Sequence, residues 1–336
     1  VPTKGRVPQP PPSPVLNNQP DWYRGDLHCH THHSDATGSL ADLVAAGRAQ
    51  GLDFLAVTEH NTTSHLSHLP AHSGDGLLLL PGIEITTERG HANAWGIERW
   101  HEFRCETPAQ MAQVLADVRS TGALISVNHP KEFGPPWTFG GEEAFDCLEV
   151  WQAPWFVFND QSLGLWDRLL KAGHRITGVG GSDVHQHPQG SEESYPVVGQ
   201  PCTWVYAETL SVSGLLAGIQ AGHVFVSEAP SGPKLFLTAE TEGSRQQKAG
   251  MGDEYTRLLD PWQEMLDKGL TTFEEGDYEE RSDCHAWSAS PLYDFLATVA
   301  GITPAEPGFK SVQIKPAMAS TRQVEAVVPH PEGLIK

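Results

Sequence analysis

Five segments of the chain share a pattern in which an apolar, β-forming run ends in histidine, aspartate or glutamate. The runs end at His30, His60, Glu84, His129 and His185. Amphipathic, helix-like stretches separate several of them, at residues 39–51, 108–120 and 163–173, and another follows at 212–222. Further strands are predicted at residues 91–97, 145–152 and 202–207. Strands that alternate with helices predict parallel pairing in an α/β sheet or barrel. In closed α/β barrels, active sites are built at the C-terminal ends of the strands.

Histidines are concentrated in this part of the chain, with fourteen of the seventeen between residues 28 and 187. His28 and His30 end a predicted strand, and side chains two residues apart on a strand point to the same face. Asp183 and His185 repeat that spacing, and Asp35 offers a hard oxygen ligand. Neutral imidazole and carboxylate groups suit Zn, Mn or Fe. Any one of these histidines alone is more simply a core or surface residue, but the whole set predicts a metal site.

Charge and composition narrow the expected partners. The net charge is −20 and no Lys/Arg cluster occurs. A nucleic-acid binder usually has a basic patch, so we expect a small-molecule ester and no nucleic acid. No apolar run approaches the roughly 18 residues of a membrane span, which predicts a soluble protein without a membrane partner. The five cysteines include no CxxC pair, and this spacing argues against a zinc site built from thiolates. The sequence leaves open the oligomeric state and whether a leader has been removed.

These motifs resemble those of the PHP (polymerase and histidinol phosphatase) superfamily over about residues 22–237. The resemblance is carried, in order, by Asp26-Leu27-His28-Cys29-His30-Thr31 with Ser34-Asp35, Thr58-Glu59-His60-Asn61, Gly82-Ile83-Glu84, Asn128-His129-Pro130 and Gly181-Ser182-Asp183-Val184-His185. The opening WYRGDLHCHTHHSD and the segment AGHVFVSEAPSGPKL resemble its carbaryl-hydrolase-like branch in particular. The resemblance implies an α/β fold, a distorted (β/α)7 barrel, that hydrolyses phosphate esters with two or three divalent transition-metal ions.

The resemblance also implies which residues hold those Zn, Mn or Fe ions. Carried over by position, the ligands are His28, His30, Asp35, His60, Glu84, His129, Asp183 and His185. The carboxylate of Glu84 is expected to bridge two ions. His91 follows Gly90 and precedes a strand. The branch often has a histidine at this position, as a metal ligand or as a substrate contact.

The implied mechanism is attack on phosphorus by a metal-bridging hydroxide, because metal binding lowers the pKa of water toward about 7. Lys131 and Arg89 are candidate contacts to substrate oxygens, or else solvated surface charges. His32 or His33 is a candidate general acid, or else an exposed loop residue. Asp26 is expected to orient a ligating imidazole. The same site suits carbamates or carboxyl esters as an alternative, and a non-catalytic metal-binding module is a further hypothesis.

Changes in composition divide the chain. We expect a Pro-rich extended tail at 1–21, a metallohydrolase domain at 22–238, a polar linker at 239–252 and a fragment at 253–336, with helices at 258–266 and 291–300. Residues 250–317 resemble the C-terminal end of bacterial α-L-rhamnosidases, which would make Glu275 the general base of a glycoside hydrolase. An inverting glycosidase needs a second carboxylate, and the resemblance covers only the end of that family's barrel. We therefore predict a small, mainly helical, non-catalytic tail.

Overall fold

The computed structural model describes residues 14–132, 134–186 and 196–232, together with short strands beyond residue 238. Nine strands of the first part form one sheet: β1 (Asp21–Cys29), β2 (Phe54–Val57), β3 (Leu78–Thr87), β4 (Gly90–Trp95), β5 (Leu124–Val127), β6 (Cys147–Gln152), β7 (Thr177–Gly181), β8 (Cys202–Ala207) and β9 (Val224–Ser227). Five helices accompany it: α1 (Leu40–Ala49), α2 (Leu69–His72), α3 (Pro108–Arg119), α4 (Asn159–Lys171) and α5 (Val212–Gln220), with a 3₁₀ turn at Glu142–Ala144.

The sheet is mixed rather than wholly parallel. Its order is β7-β6-β5-β4-β3-β2-β1-β8-β9. Strands β1 to β3 are parallel, as are β5 to β7, but β4 is antiparallel to both of its neighbours, and β8 is antiparallel to β1 and β9. Parallel pairing throughout was therefore a wrong expectation, although the sheet is nearly closed into a barrel with helices.

The physical reason for the antiparallel strand is the short connection between β3 and β4. Only Glu88 and Arg89 separate the two strands, and a parallel crossover needs a dozen or more residues. Gly90 begins β4 with a φ of 131°, which glycine adopts without a steric penalty. The hairpin places His91 opposite Thr86. The start of β4 therefore lies at the same edge of the sheet as the end of β3.

Closure of the barrel depends on the chain that follows β7. The amide of Asp183 donates to the carbonyl of His28 (2.8 Å), and the amide of His30 donates to the carbonyl of Val184 (3.1 Å). Cys29 and Val184 form a parallel bridge. The last residues of β1 thus pair with β2 on one side and with this segment on the other, which closes the barrel at its C-terminal edge.

The buried carboxylate of Asp26 holds this closure in place. It accepts hydrogen bonds from the backbone amides of His28 (3.1 Å), Ser182 (2.9 Å) and Gly199 (2.8 Å). Asp26 is fully buried, and a buried carboxylate is tolerated when such donors satisfy its oxygens. Asp26 was expected to orient an imidazole, but in the structure its partners are backbone amides of three chain segments and the side chain of Ser182.

Both faces of the central strands are buried. Phe54 and Ala56 of β2 belong to one apolar cluster, whereas Leu55 and Val57 belong to another, which also contains Leu43 of α1. Alternate residues of a strand point to opposite faces, so β2 contributes to the barrel interior and to the layer under the helix. Burial on both sides explains why the central strands are continuous apolar runs.

Helix α1 begins where the sequence predicts. The Ser39 side chain accepts from the amide of Asp42, and the Asp42 carboxylate accepts from the amide of Ser39 at 2.8 Å. This capping box satisfies two amides that the first helical turn leaves unpaired. In the described part of the chain, no helix combines the length and apolar character needed to cross a bilayer.

The strands beyond residue 238 pair locally as antiparallel hairpins. They are β10 (Ala239–Glu240) with β11 (Lys248–Ala249), β12 (Ile302–Pro304) with β13 (Val312–Ile314), and β14 (Val328–His330) with β15 (Gly333–Ile335). The helices predicted at 258–266 and 291–300, and Glu275, lie outside the described residues. The helical, rhamnosidase-like tail therefore stays a prediction.

A buried histidine makes the stability of this fold depend on pH. His65 is fully buried, and its Nε2 bonds the carbonyl of Gly82 at 3.0 Å. Burial lowers the pKa of His65 to about 3, against about 6.5 in an unfolded chain. At a pH between these two pKa values, His65 is protonated in the unfolded chain but neutral in the folded one. The free energy of unfolding therefore falls as the pH is lowered from about 6.5 toward 3, by at most about 1.4 kcal/mol per pH unit.

We expect His65→Gln, which keeps a donor for Gly82, to lose less stability than the wild type between pH 7 and pH 4. Urea unfolding in the presence of a chelator, repeated between pH 7 and pH 4, measures how the free energy of unfolding of each protein changes with pH. His68→Gln is the matched control, because His68 is exposed. Equal slopes for wild type and His65→Gln would contradict the role of this ring.

Candidate metal centre

Nine side chains converge at the C-terminal edge of the barrel. They come from β1 and the loop after it, from β3 and β4, and from the segments after β2, β5 and β7. These residues are His28, His30, Asp35, His60, Glu84, His91, His129, Asp183 and His185. The structure therefore brings together all nine residues that the sequence proposes as metal ligands.

The carboxylate of Glu84 lies at the centre of this group. Its Oε2 is 2.7 Å from Nδ1 of His60, and its Oε1 is 3.1 Å from Nδ1 of His91. The same Oε1 is 3.3 Å from Nε2 of His28 and 3.5 Å from Nε2 of His129. Glu84 is fully buried. Its two oxygens face imidazoles on different sides, which is the arrangement a bridging carboxylate requires.

A second carboxylate, that of Asp183, contacts three of the histidines. Its Oδ1 is 3.1 Å from Nε2 of His30, 3.3 Å from Nε2 of His28 and 3.6 Å from Nδ1 of His185. Gln152 donates to the other oxygen, Oδ2, at 2.9 Å. Asp183 has a left-handed φ of 56°, a backbone conformation that non-glycine residues rarely adopt and that clusters at functional sites.

Two imidazoles face each other at the more exposed side of the centre. Nε2 of His60 and Nε2 of His185 are 3.2 Å apart, and Oδ1 of Asp35 lies 3.5 Å and 3.3 Å from them. His185 donates its Nδ1 proton to the carbonyl of Asp183, and Nδ1 of His60 lies 2.6 Å from the hydroxyl of Thr86. The two Nε2 atoms and the Asp35 carboxylate therefore face one point, which fits a shared cation.

Several buried ring nitrogens also make no hydrogen bond to the described residues. They are Nε2 of His28, both ring nitrogens of His30 and Nδ1 of His129. Buried polar atoms normally have a partner. Three overlapping donor groups have their ligand atoms within 4.8 Å of one another: His30, Asp35, His60 and His185; His28, His30 and Asp183; and His60, Glu84 and His91. The donor set and its unpaired nitrogens fit divalent transition-metal ions.

The pKa shifts of the carboxylates and imidazoles in the centre also favour bound positive charge. Burial alone would raise the pKa of Glu84, but the imidazoles of His28, His129 and His60 hold it well below its usual range. Burial lowers the pKa of His30 to about 4, so this ring is neutral and keeps a lone pair. Against burial, the neighbouring carboxylates raise the pKa of His28, His60 and His129, so the ionised carboxylates of the centre favour positive charge beside them.

Glu149 is a functional residue that the sequence analysis missed. Its Oε1 accepts from Nδ1 of His28 at 2.9 Å, and its Oε2 accepts from the amide of His129 at 2.8 Å. The bond fixes the His28 ring with its Nε2 lone pair toward Glu84, which is how outer carboxylates orient metal-binding histidines. The sequence signal was present, because Glu149 is the one acidic residue inside an otherwise apolar strand, β6.

Two more polar residues support the centre. Asn128, in the Asn-His-Pro motif, donates its side-chain amide to Oε1 of Glu84 at 2.8 Å. Glu59, in the Thr-Glu-His motif, accepts from the amide of Thr31 at 3.0 Å and from the hydroxyl of Ser34. The first contact orients the central carboxylate, and the second holds the loop that carries Asp35. Both residues stand beside predicted ligands, but spacing alone does not reveal their partners.

Lys131 and Arg89, the candidate contacts to substrate oxygens, lie outside the cluster of ligands. Lys131 is only 2% exposed, and its Nζ donates to the carbonyl of Gln152 (3.1 Å) and to Oδ1 of Asn159 (2.7 Å). Burial lowers the pKa of Lys131 to about 8. Arg89 donates to two carbonyls, those of Glu106 and Thr138. In the structure both side chains are engaged in holding loops.

His32 and His33, the candidate general acids, stack on each other in the loop after β1, with ring centroids 4.9 Å apart. Nδ1 of His32 is 3.3 Å from the carbonyl of Gly38, and Nδ1 of His33 is 2.9 Å from the hydroxyl of Ser64. His32 is exposed and His33 is half-buried. Both are close in sequence to the ligand candidates His30 and Asp35, but neither has a described contact to a carboxylate of the centre.

Residues 26–135 match the model of the PHP domain. The matched segment is about a third of the chain and carries all of the proposed ligand residues except Asp183 and His185. The sequence-based resemblance to this superfamily is confirmed at this level. The finer resemblances, to the carbaryl-hydrolase-like branch and to rhamnosidases, stay predictions.

Two relatives are 5′-3′ exoribonucleases. This chain is 36% identical over 63 residues to the 5′-3′ exoribonuclease of Haemophilus influenzae. The aligned segment covers 18% of this chain and 23% of that relative. It is 34% identical over 97 residues to the 5′-3′ exoribonuclease Rnm of Escherichia coli, covering 26% of this chain and 32% of the relative. The matches thus span a third or less of either relative. They agree with the expectation of an enzyme acting on ester bonds but leave the predicted exclusion of nucleic acid without support.

A solved structure shares the fold. It is a two-domain protein of Bacteroides vulgatus containing a predicted PHP-like metal-dependent phosphoesterase, with a TM-score of 0.50 and 18% identity. The similarity covers 67% of this chain and 70% of that protein. At this identity the likeness concerns the architecture alone, and it agrees with a nearly closed barrel.

We expect Glu149→Gln to weaken metal binding by roughly 10- to 100-fold, the usual effect of losing an outer carboxylate partner. The amide lacks the charge that holds the His28 proton on Nδ1, so the ring samples its other tautomer. Titration of the metal-free protein with Zn²⁺ or Mn²⁺ by calorimetry measures the change. Glu98→Gln is the control, because Glu98 is exposed. Equal affinity in Glu149→Gln and the wild type would show that this contact has no influence on the ions.

Proposed function

We propose that this chain is a metal-dependent phosphoesterase that holds two or three Zn, Mn or Fe ions in the cluster of nine ligands. The observation that carries the proposal is the buried Glu84 carboxylate, which lies within 3.5 Å of a nitrogen on four imidazoles. The PHP domain match and the exoribonuclease relatives support hydrolysis of a phosphate ester. His30 and His60 each occur in two of the three donor groups, so the groups share ligands.

Some residues of the centre supply charge and ligand atoms, and others orient them through hydrogen bonds. Glu84 and Asp183 provide the buried negative charge, and Asn128 orients Glu84. Glu149 orients the ring of His28, and the carbonyl of Asp183 orients the ring of His185. When bound, divalent ions supply Lewis acidity and lower the pKa of water toward about 7. The protein contributes a rigid donor set, because most of its members lie on strands or directly after them.

A small cavity of about 170 Å³ opens onto this centre and is the place where the reacting phosphate fits. Its lining includes His60, His91, His129, Gln152, Asp183 and His185. No lysine or arginine is among the described residues that line it. The charge of a phosphate group in this cavity must therefore be balanced by bound cations.

An RNA end is a second candidate substrate, favoured by the two exoribonuclease relatives. The net charge of −20 opposes the approach of a long polyanion, but a terminal phosphate needs only the local field of the centre. A panel of p-nitrophenyl phosphate, bis(p-nitrophenyl) phosphate, a 5′-phosphorylated oligoribonucleotide, an aryl carbamate and an aryl rhamnoside separates the candidates. Cleavage of the carbamate or the rhamnoside alone would overturn the phosphoesterase proposal.

We expect Glu84→Ala and Asp183→Ala to lose bound metal and at least about 100-fold in turnover of the preferred phosphate ester, exceeding the effect of outer partners. Elemental analysis and steady-state kinetics measure the two quantities together, and EDTA treatment of the wild type should reproduce the loss. Glu98→Ala is the control for a carboxylate removed from the surface. Full turnover with full metal content in either variant would contradict the assignment.

A further inference from the structure

An open groove of about 500 Å³ adjoins the small cavity at the candidate centre. The two share His91 and Pro135, so they are continuous. His91 also contacts the central carboxylate of Glu84. A phosphate held in the small cavity therefore has one group that can extend past His91 into the groove. A volume of 500 Å³ lies within the range of small-molecule sites, about 300–1,000 Å³.

The groove has a mainly apolar lining with one aromatic wall. Phe103 and Arg104 line it, and Phe103 is half-buried against the apolar core. The Arg104 guanidinium lies 5.8 Å from the centroid of the Phe103 ring, and Trp100 meets that ring edge-on at 6.2 Å. Arg104 is paired with Glu102 at 2.8 Å, so the aromatic wall itself carries little net charge, and Glu88 adds one carboxylate elsewhere in the lining. Aromatic walls of this kind favour flat, uncharged rings.

We propose that this groove binds a flat aromatic group carried by the phosphate ester, such as an aryl or nucleobase ring. The inference rests on the proposed function of the metal centre and adds the substrate class. The continuity through His91 and Pro135 selects this groove, and Phe103 is its specificity-determining residue. An ester with a small alkyl group makes the same contacts at the centre but leaves the groove empty.

Cys105 lines the groove and provides a test of binding that does not depend on turnover. It is half-buried, whereas Cys29, Cys147 and Cys202 are buried. The metal-loaded protein is treated with iodoacetamide, and alkylation of Cys105 is followed by peptide mass spectrometry. The probes are phenylphosphonate and methylphosphonate, whose C–P bonds are not phosphate esters. Phenylphosphonate should protect Cys105 at concentrations at which methylphosphonate does not.

The variants Phe103→Ala and Phe103→Leu test the aromatic wall. Phe103→Leu keeps apolar packing against the core, so it separates loss of the ring from loss of folding. Both should reduce the preference for phenylphosphonate over methylphosphonate by about two- to tenfold, the range of an aromatic pair, and raise KM for phenyl phosphate but not for methyl phosphate. Phe156→Ala is the matched control, because Phe156 is 80% exposed and outside the groove lining.

Equal protection of Cys105 by the two phosphonates, or an unchanged preference in both Phe103 variants, would overturn the groove assignment while leaving the phosphoesterase proposal intact. Absence of turnover for every phosphate ester tested would instead overturn the proposed function. Protection by phenylphosphonate that both Phe103 variants weaken and Phe156→Ala does not supports the groove as the site of the aromatic group.

Discussion

The structure depends on one buried carboxylate, that of Glu84, and on the positive charge needed to keep it there. Moving an ionised carboxylate out of water costs several kcal/mol unless it is paired and hydrogen-bonded. Here the compensation comes from His28, His60, His91 and His129, which belong to four different parts of the sheet. Nitrogens of His28 and His129 make no hydrogen bond to the described residues, and His60 faces His185, so the donor set suits cations shared between its members.

The barrel closes where this centre forms, and the two features use the same residues. Asp183 joins the backbone of β1 through its amide and contacts three histidines through its carboxylate. A Cβ at Gly181 would lie 2.3 Å from the Cβ of His28, so only glycine allows β7 to approach β1 this closely. Asp26 then fixes the three segments through their amides. Any change in how β7 and the segment after it pair with β1 therefore also moves His28, His30 and Asp183.

The site has two parts with different chemistry. The small cavity at the ligands is polar and lacks a cationic side chain among its described lining residues, so it suits a phosphate only together with bound ions. The adjoining groove is mainly apolar and bears the ring of Phe103. His91 belongs to both. The antiparallel turn at Gly90 places the start of β4 beside the end of β3, and so brings His91 to the point where the cavity and the groove adjoin.

The sequence alone determined which residues meet at the candidate centre and most of the strands, because histidine and carboxylate at strand ends are a local pattern with fixed periodicity. It also marked Ser39 as a helix cap. Only the tertiary structure decided which ligand contacts which, that β4 runs antiparallel, and that Glu149 orients His28 from 121 positions away. It likewise turned Lys131 inward and placed Asp26 on backbone amides. These outcomes depend on long-range register and closure, which residue spacing does not encode.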